Sequence, residues 1–394
     1  MVLIHHMKYI MKKVGIITIC DYNNYGNRLQ NYATQEVIKS LGCEVETIVN
    51  LPYIKLGFTD YINKARRMSI IELSKKIFYR ICYRICYFIK KIINRKKCVL
   101  AKKRKIAFKQ FTEKYINETD YIITPDCIPN DIKDKYDYFI AGSDQVWNPN
   151  FRKGSFIDFL TFVPKEKRIA YSASFGMTNL PDEYISNYSR WLSEMPHISV
   201  REEAGAKIVK DLTGKDAIVL VDPTLMLTKE QWLSISKPAL HKPDKPYILT
   251  YFLGETPPEI EEKIYFFSKC YDIVNLADME DENRYVADPA EFLDYINSSS
   301  LVLTDSFHGT IFSILFEKPF IVFNRIGNTP SMNSRIDTLL SKFHLDSRRW
   351  DNIRNADDFF KIDFSHVHEI LEYERNKAIK YLKNALDIKE ENKL

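Results

Sequence analysis

One histidine stands in a setting that could do chemistry. His308 lies in Asp305-Ser306-Phe307-His308-Gly309, between the apolar run Leu301-Val302-Leu303-Thr304 and a second apolar stretch at 311–316. The first run is short enough for a buried strand, and another strand-like run follows at 319–323. Read as strand, turn, helix, strand, the pattern puts a titratable ring at the start of a helix, just past the carboxyl end of a strand. Open α/β sheets collect ligands at that edge. A helix start offers unpaired N–H groups and partial positive charge. The chemistry this suggests is proton transfer beside a phosphate or a carboxylate. The same residues would also suit a buried histidine that only caps the turn, and the local pattern leaves both open.

The elements that must position this ring read as an α/β chain. A buried-strand pattern at 14–19 leads through a polar loop, 21–27, to Leu29, Tyr32, Ala33, Val37 and Ile38 at helical spacing. Gly42 suits the residue just past that helix, and 44–49 alternates as a second strand. The loop is no GxGxxG fingerprint, so a dinucleotide site of the usual kind is not supported. Strands are expected near 138–141, 168–175, 198–200 and 218–221, each ending in polar residues at what should be one sheet edge. Pro238, Pro243 and Pro246 with three lysines mark a linker. A second α/β unit opens at 247–252 and contains a helix with Asp288 as N-cap and Pro289 at N1. The expected organisation is an N-terminal domain over 12–236, a C-terminal domain over 247–364, and a helix over 365–388 packing back across both.

The chain of 394 residues is too long for one ordinary core, so two domains are expected. With 45% hydrophobic and 28% charged residues it is an ordinary globular composition. The mild net charge of +5 hides an asymmetry. Between Ile62 and Lys109, seventeen Lys and Arg face one acid, Glu72, so the remainder is net acidic. Residues 62–110 read as a basic helical insertion with Ile77, Ile81, Ile85, Phe88 and Ile92 on one face. Such a segment either lies on an anionic membrane surface as a peripheral contact or packs on the body with its charge solvated. No recognition motif accompanies the charge, so nucleic acid is not an expected partner. Seven cysteines without a CxxC pair argue against a disulfide framework or a zinc site and suit a cytoplasmic setting. No signal-peptide pattern opens the chain, and no run of 18 uncharged apolar residues would span a membrane.

The chain resembles the polysaccharide pyruvyl transferase family. The matching pieces are 21–30 with Tyr25-Gly26-Asn27-Arg28-Leu29-Gln30, Gly142-Ser143-Asp144-Gln145-Val146-Trp147, 171–176, Ser199-Val200-Arg201-Glu202, Val221-Asp222-Pro223-Thr224, and Asp305 to Gly309, in family order over about 14–340. The resemblance implies an α/β fold of two Rossmann-like domains facing a cleft, similar to GT-B glycosyltransferases. It also implies transfer of a pyruvyl group from phosphoenolpyruvate to a sugar hydroxyl, often closing a ketal across two hydroxyls, with loss of phosphate. No metal and no further cofactor are expected. Members often carry Arg-Leu-His where this chain has Ser306-Phe307-His308; Arg325 or Arg335, after the next strand, could supply the missing cation.

On that resemblance His308 is the expected general acid, with Asp305 beside it. The helix start disfavours an imidazolium, whereas Asp305 and an incoming anion favour it, so the ring is expected to take its proton as the donor binds. Arg201, Ser306 and Gly309, with Arg325 and Arg335, are expected around the donor, because a guanidinium matches carboxylate and phosphate bidentately. Arg201 has the alternative of a salt bridge with Glu202, Glu203 or Asp222. Asn27, Arg28, Ser143, Asp144, Trp147 and Ser174 are expected on the acceptor side. For Trp147 a core indole is the alternative; for Asp144, Asn27 and Arg28 it is loop and helix-start capping. The expected acceptor is a cell-surface glycan or its lipid-linked precursor. A nucleotide-sugar glycosyltransferase and a non-catalytic glycan-binding protein are the other readings.

Overall fold

The computed structural model describes residues 11–52, 95–327 and 333–389. Its strands form two wholly parallel sheets, as the α/β reading requires. The first contains β1 (Lys13–Ile17), β2 (Glu44–Asn50), β3 (Glu118–Ile123), β4 (Tyr138–Ala141), β5 (Arg168–Ala173), β6 (His197–Val200) and β7 (Ile218–Val219), in the order β3-β2-β1-β4-β5-β6-β7. The second contains β8 (Tyr247–Tyr251), β9 (Asp272–Asn275), β10 (Leu301–Thr304) and β11 (Phe320–Val322), in the order β11-β10-β8-β9. Helices used below are α1 (Tyr25–Ser40), α2 (Arg95–Tyr115), α3 (Glu203–Thr213), α4 (Pro289–Ser298), α5 (Phe307–Leu315), α6 (Asn333–Lys342) and α7 (Val367–Ala385).

Strand order dictates where a ligand can sit. Each sheet reverses its direction of growth once, between β1 and β4 in the first and between β8 and β10 in the second. Loops leaving neighbouring strands part at such a point and open a crevice at the carboxyl edge. The four loops concerned carry Asp21 and Asn24, Asp144 and Gln145, Leu253 and Gly254, and Asp305 and Ser306. Local chemistry starts the helices there. Asn24 caps α1 by accepting from Asn27 N, Ser306 caps α5 by accepting from Gly309 N, and Asp288 closes a capping box with Glu291 at α4. Gly42, just past α1, has φ +79°, the left-handed conformation expected of a residue ending a helix.

The two sheets share one apolar core. A single cluster joins Val14, Ile16, Leu29 and Ile140 to Leu249, Val302, Phe312 and Leu382. Tyr25 stacks on Phe292 with ring centroids 4.2 Å apart. The proline-marked connection is tied down rather than loose: Lys237 pairs with Asp288 at 2.6 Å and Lys242 with Asp294 at 2.7 Å. Helix α7 bonds to both halves. Tyr381 donates to Ala170 O, Arg375 to Leu225 O and Leu227 O, and Glu374 pairs with Lys342 of α6.

Of the basic segment, α2 is described from Arg95. It packs on the body through Leu100, Arg104, Phe108 and Phe111, a helical spacing. Not all of its charge is solvated. Lys96 pairs with Glu282 and Lys97 with Glu280, and Arg104 is buried, donating to Tyr25 Oη at 2.9 Å and to Tyr285 O. The stripe Ile77 to Ile92, on which the membrane reading rests, lies outside the described residues. Among the described residues no helix is long and apolar enough to cross a membrane.

Candidate functional site

The switch points of the two sheets face each other across a cavity of about 280 Å³. Asp21, Asn24, Asn27, Asp144 and Gln145 line it from the first sheet; Leu253, Ser306, Phe307, His308, Arg325 and Arg335 line it from the second unit. The starts of α1 and α5 both abut it, so two sets of helix N–H groups add to its positive character. His308 sits against Gly26 of α1. A Cβ at Gly26 would fall 1.9 Å from His308 Nδ1, so only glycine lets α1 approach this closely. Nε2 of the same ring is buried without a hydrogen-bond partner and stands 3.8 Å from Asp222 Oδ2.

Beneath the cavity lies a buried network of charge. Arg201 donates to Asp222 Oδ2 at 2.6 Å and to Asp144 Oδ1 at 3.3 Å. Asp144 Oδ2 accepts from Asn27 at 3.1 Å, and Asp222 Oδ1 accepts from Thr224 N and Oγ1. Burial alone would push the Asp222 carboxyl up, but the His308 imidazole and the Arg201 guanidinium hold it far below the usual carboxylate range. Asp144 is likewise held down: burial opposes, and Arg201, His308 and Arg335 outweigh it. Arg201 is driven further up, because Asp222 and Asp144 outweigh its burial. At the cavity wall Asp21 moves the other way. Crowding by the protein chiefly raises its carboxyl, with Asp144 adding to it.

Arg335 is set apart from Arg201 and Arg325 at this site by having no carboxylate partner among the described residues. It is 5% exposed, and its Nε is buried and unpartnered. No carboxylate among the described residues lies within ion-pair distance of it. Its guanidinium lies over the Phe307 ring at 5.3 Å, as that of Arg201 does at 4.5 Å. Burial first, and Arg201 second, lower it from 12.5 to about 10. A buried, unpaired cation beside a second cation is costly, and it faces an open cavity.

The sequence expectations divide accordingly. His308, Ser306, Arg325, Arg335, Asn27 and Asp144 meet at the cavity. Several others sit behind it. Asp305 turns away from the ring: its carboxylate accepts from Leu253 N, Gly254 N and Arg325 Nε, holding the β8 loop in place. The carboxylates that face His308 are instead Asp222 and Asp144. Arg201 is consumed by those two carboxylates and does not reach the cavity, so its salt-bridge alternative is the geometry found. Gly309 spends its N–H on the Ser306 cap and packs against Thr304, where a Cβ would come within 2.9 Å of Oγ1. Arg28 is fully buried, bonded to Glu118 and Ile19 O. Ser143 donates to Asp222 and Ser172 O, and Ser174 to Glu202, both fully buried. Trp147 is a core indole, stacked on Phe159 and donating to Asp158 O. Arg325, paired with Asp305, is the less available of the two late arginines. Asp222 and Asp21 were missed as site residues although both fall in the motif pieces; what marks them is spatial, since each matters through partners distant in sequence. Among the described residues no three His, Cys, Asp or Glu side chains gather as a metal site.

The profile of polysaccharide pyruvyl transferases matches residues 24–326, which contain both switch points and most of the cavity lining. The chain belongs to the polysaccharide pyruvyl transferase family. It is therefore a transferase. Solved structures to which this pyruvyl transferase family member is similar include S. aureus MnaA in complex with UDP (12% identity, 97% of this chain and 98% of that one, TM-score 0.47). Others are the UDP-GlcNAc 2-epimerase of Neisseria meningitidis bound to UDP-GlcNAc (10%, 96% and 98%, TM-score 0.41) and the E. coli ADP-heptose lipopolysaccharide heptosyltransferase II (11%, 93% and 99%, TM-score 0.33). No curated protein matches the sequence.

Proposed function

We propose that this protein moves a pyruvyl group from phosphoenolpyruvate to a sugar hydroxyl of a cell-surface glycan or its lipid-linked precursor. The observation that carries the reading is Arg335, a buried guanidinium without an anionic partner, opposite His308 in a cavity abutted by two helix starts. An incoming phosphate or carboxylate would supply the missing counter-charge. Arg335 would thus take the place of the arginine absent at Ser306, with Arg325 beside it. The volume of about 280 Å³ is at the low end for ligand pockets and suits a small three-carbon donor better than an enclosed nucleotide sugar.

In this reading His308 gives its proton to the methylene carbon of the donor, leaving a cationic carbon that a sugar oxygen attacks. Two carboxylates line the cavity with opposite tendencies, which separates their tasks. Asp144, held ionised, stabilises the cationic carbon and orients the acceptor through its bond to Asn27. Asp21, with its raised carboxyl, takes the hydroxyl proton. Phosphate leaves with the proton that Asp21 took, and a second hydroxyl closes the ketal, its proton returning to His308. The acceptor would lie against Asn24 and Phe151, which also line the cavity. The basic segment 62–110 would make a peripheral contact with an anionic membrane surface; release from vesicles at high salt tests it. Release of inorganic phosphate from phosphoenolpyruvate, dependent on a glycan acceptor, tests the reaction. Release of a nucleoside diphosphate from a nucleotide sugar would replace it with glycosyl transfer, and glycan binding without any turnover with a binding role.

A further inference from the structure

Asp222 lines no part of the cavity, yet it is the most tightly held carboxylate near the ring. Oδ1 is fixed by Thr224 N at 2.9 Å and Thr224 Oγ1 at 2.6 Å; Oδ2 accepts from Arg201 at 2.6 Å and Ser143 at 3.1 Å. The same Oδ2 faces His308 Nε2 at 3.8 Å, just beyond hydrogen-bond length. Nε2 is buried without a partner, while Nδ1 lies on the side of the ring that meets Gly26. Bonds of this kind are often long without ligand and tighten when it binds. We propose that Asp222 is a positioning residue for His308: its anionic Oδ2 beside Nε2 favours the Nε2–H tautomer already in the free protein and draws that N–H into a hydrogen bond when the anion binds, leaving Nδ1 as the nitrogen that delivers a proton to the bound molecule.

The delivery step rests on the pyruvyl-transfer reading; the tautomer does not. In that step the Nδ1–H bond breaks and a C–H bond forms at the donor methylene carbon. The imidazolium returns to neutral imidazole, and Asp222 keeps its negative charge throughout. The charged groups around the ring are Asp222 and Asp144, with Arg201 bonded to both and Arg335 on the other contact of Phe307. Asp144 faces the ring too, so removing Asp222 weakens the stabilisation of the imidazolium without abolishing it.

The test combines ¹⁵N spectroscopy of the histidines in the free protein with pH–rate profiles for Asp222→Asn. His308 is assigned by the signal lost in His308→Ala. In the wild type it should be the Nε2-protonated tautomer, and Asp222→Asn should lose that preference. With phosphoenolpyruvate and acceptor, kcat should fall about a hundredfold with donor KM changed less than about threefold. An imidazolium that donates is favoured by a nearby anion, so removing the anion should move the basic limb of the profile to lower pH. Should Asp222→Asn not fold, Thr224→Val removes one bond that orients the carboxylate and should lower kcat by less, with donor KM again nearly unchanged. An Nδ1-protonated His308 in the wild type, an unmoved limb in folded Asp222→Asn, or an unchanged kcat in Thr224→Val where it stands in, overturns the proposal. The tautomer is read without turnover, so a protein that ignores phosphoenolpyruvate but shows the Nε2–H form separates failure of the reaction from failure of the Asp222 role.

Discussion

Replacing Arg335 by methionine should make the free protein more stable and the donor complex much weaker. The stability gain follows from the guanidinium's situation. Its fall from 12.5 to about 10 corresponds to about 3 kcal/mol of disfavoured charge. The sign is fixed by linkage: a base lowered by folding costs stability at every pH below about 10, so the whole penalty is present at neutral pH and is relieved only on raising the pH past that value. Methionine keeps an apolar stem of similar length but loses the contact with Phe307, about 1–2 kcal/mol for a desolvated cation over a ring. The net gain is about 1–2 kcal/mol, or about 2 °C in Tm. Donor affinity moves the other way. Truncating one partner of a buried, hydrogen-bonded charge pair costs about 2–5 kcal/mol, so Kd for phosphoenolpyruvate should rise at least about thirtyfold. Differential scanning fluorimetry without ligand and isothermal titration with phosphoenolpyruvate read the two effects. A variant less stable than wild type, with unchanged donor affinity, would mean that Arg335 is a structural cation, and the reasoning from its missing counter-charge would fail.

Gly26→Ala should leave the protein folded but displace the His308 ring, because its Cβ would lie 1.9 Å from Nδ1; a shift of that size should lower kcat about a hundredfold, read by phosphate release. Arg104→Met should open the joint behind the cavity, where Arg104 bonds Tyr25 Oη and Tyr285 O, lowering stability by about 2–3 kcal/mol and raising donor KM; chemical denaturation and steady-state kinetics check both. Trp147→Phe should cost about 1–3 kcal/mol through the lost bond to Asp158 O and the space left beside Phe159, yet leave acceptor KM unchanged, since the indole never reaches the cavity.

How far residues 301–316 could be read from sequence follows from the range of the interactions involved. The strand Leu301–Thr304 and the helix Phe307–Leu315 are local patterns, and each lies where periodicity puts it, whereas the Ser306 cap was not read from the sequence. The Asp288 cap also lies where capping chemistry puts it. What else escaped is long-range. Arg201 meets Asp144 and Asp222 only because β4, β6 and β7 end at one sheet edge, and nothing in Ser199-Val200-Arg201-Glu202 says that both carboxylates will spend its charge. Trp147 and Arg28 are of types that suit a sugar site, but the core claimed one and Glu118 the other. Asp305 stands two residues from the ring's neighbour in sequence, yet the turn points it at Leu253 and Gly254 instead. The absence of an arginine at Ser306 was visible at once; that Arg335 rather than Arg325 lacks a carboxylate partner required the folded chain.

The central proposal is that a small phosphorylated donor binds opposite His308 and passes its pyruvyl group to a sugar, with release of inorganic phosphate. Incubation with ¹³C-labelled phosphoenolpyruvate and a panel of glycan and lipid-linked acceptors, followed by mass spectrometry and phosphate assay, tests it directly. The account predicts labelled pyruvyl glycan and an equal amount of phosphate, both abolished in His308→Ala while that variant keeps the wild-type fold. Neither binding nor turnover of phosphoenolpyruvate, together with release of a nucleoside diphosphate from a nucleotide sugar, would contradict it.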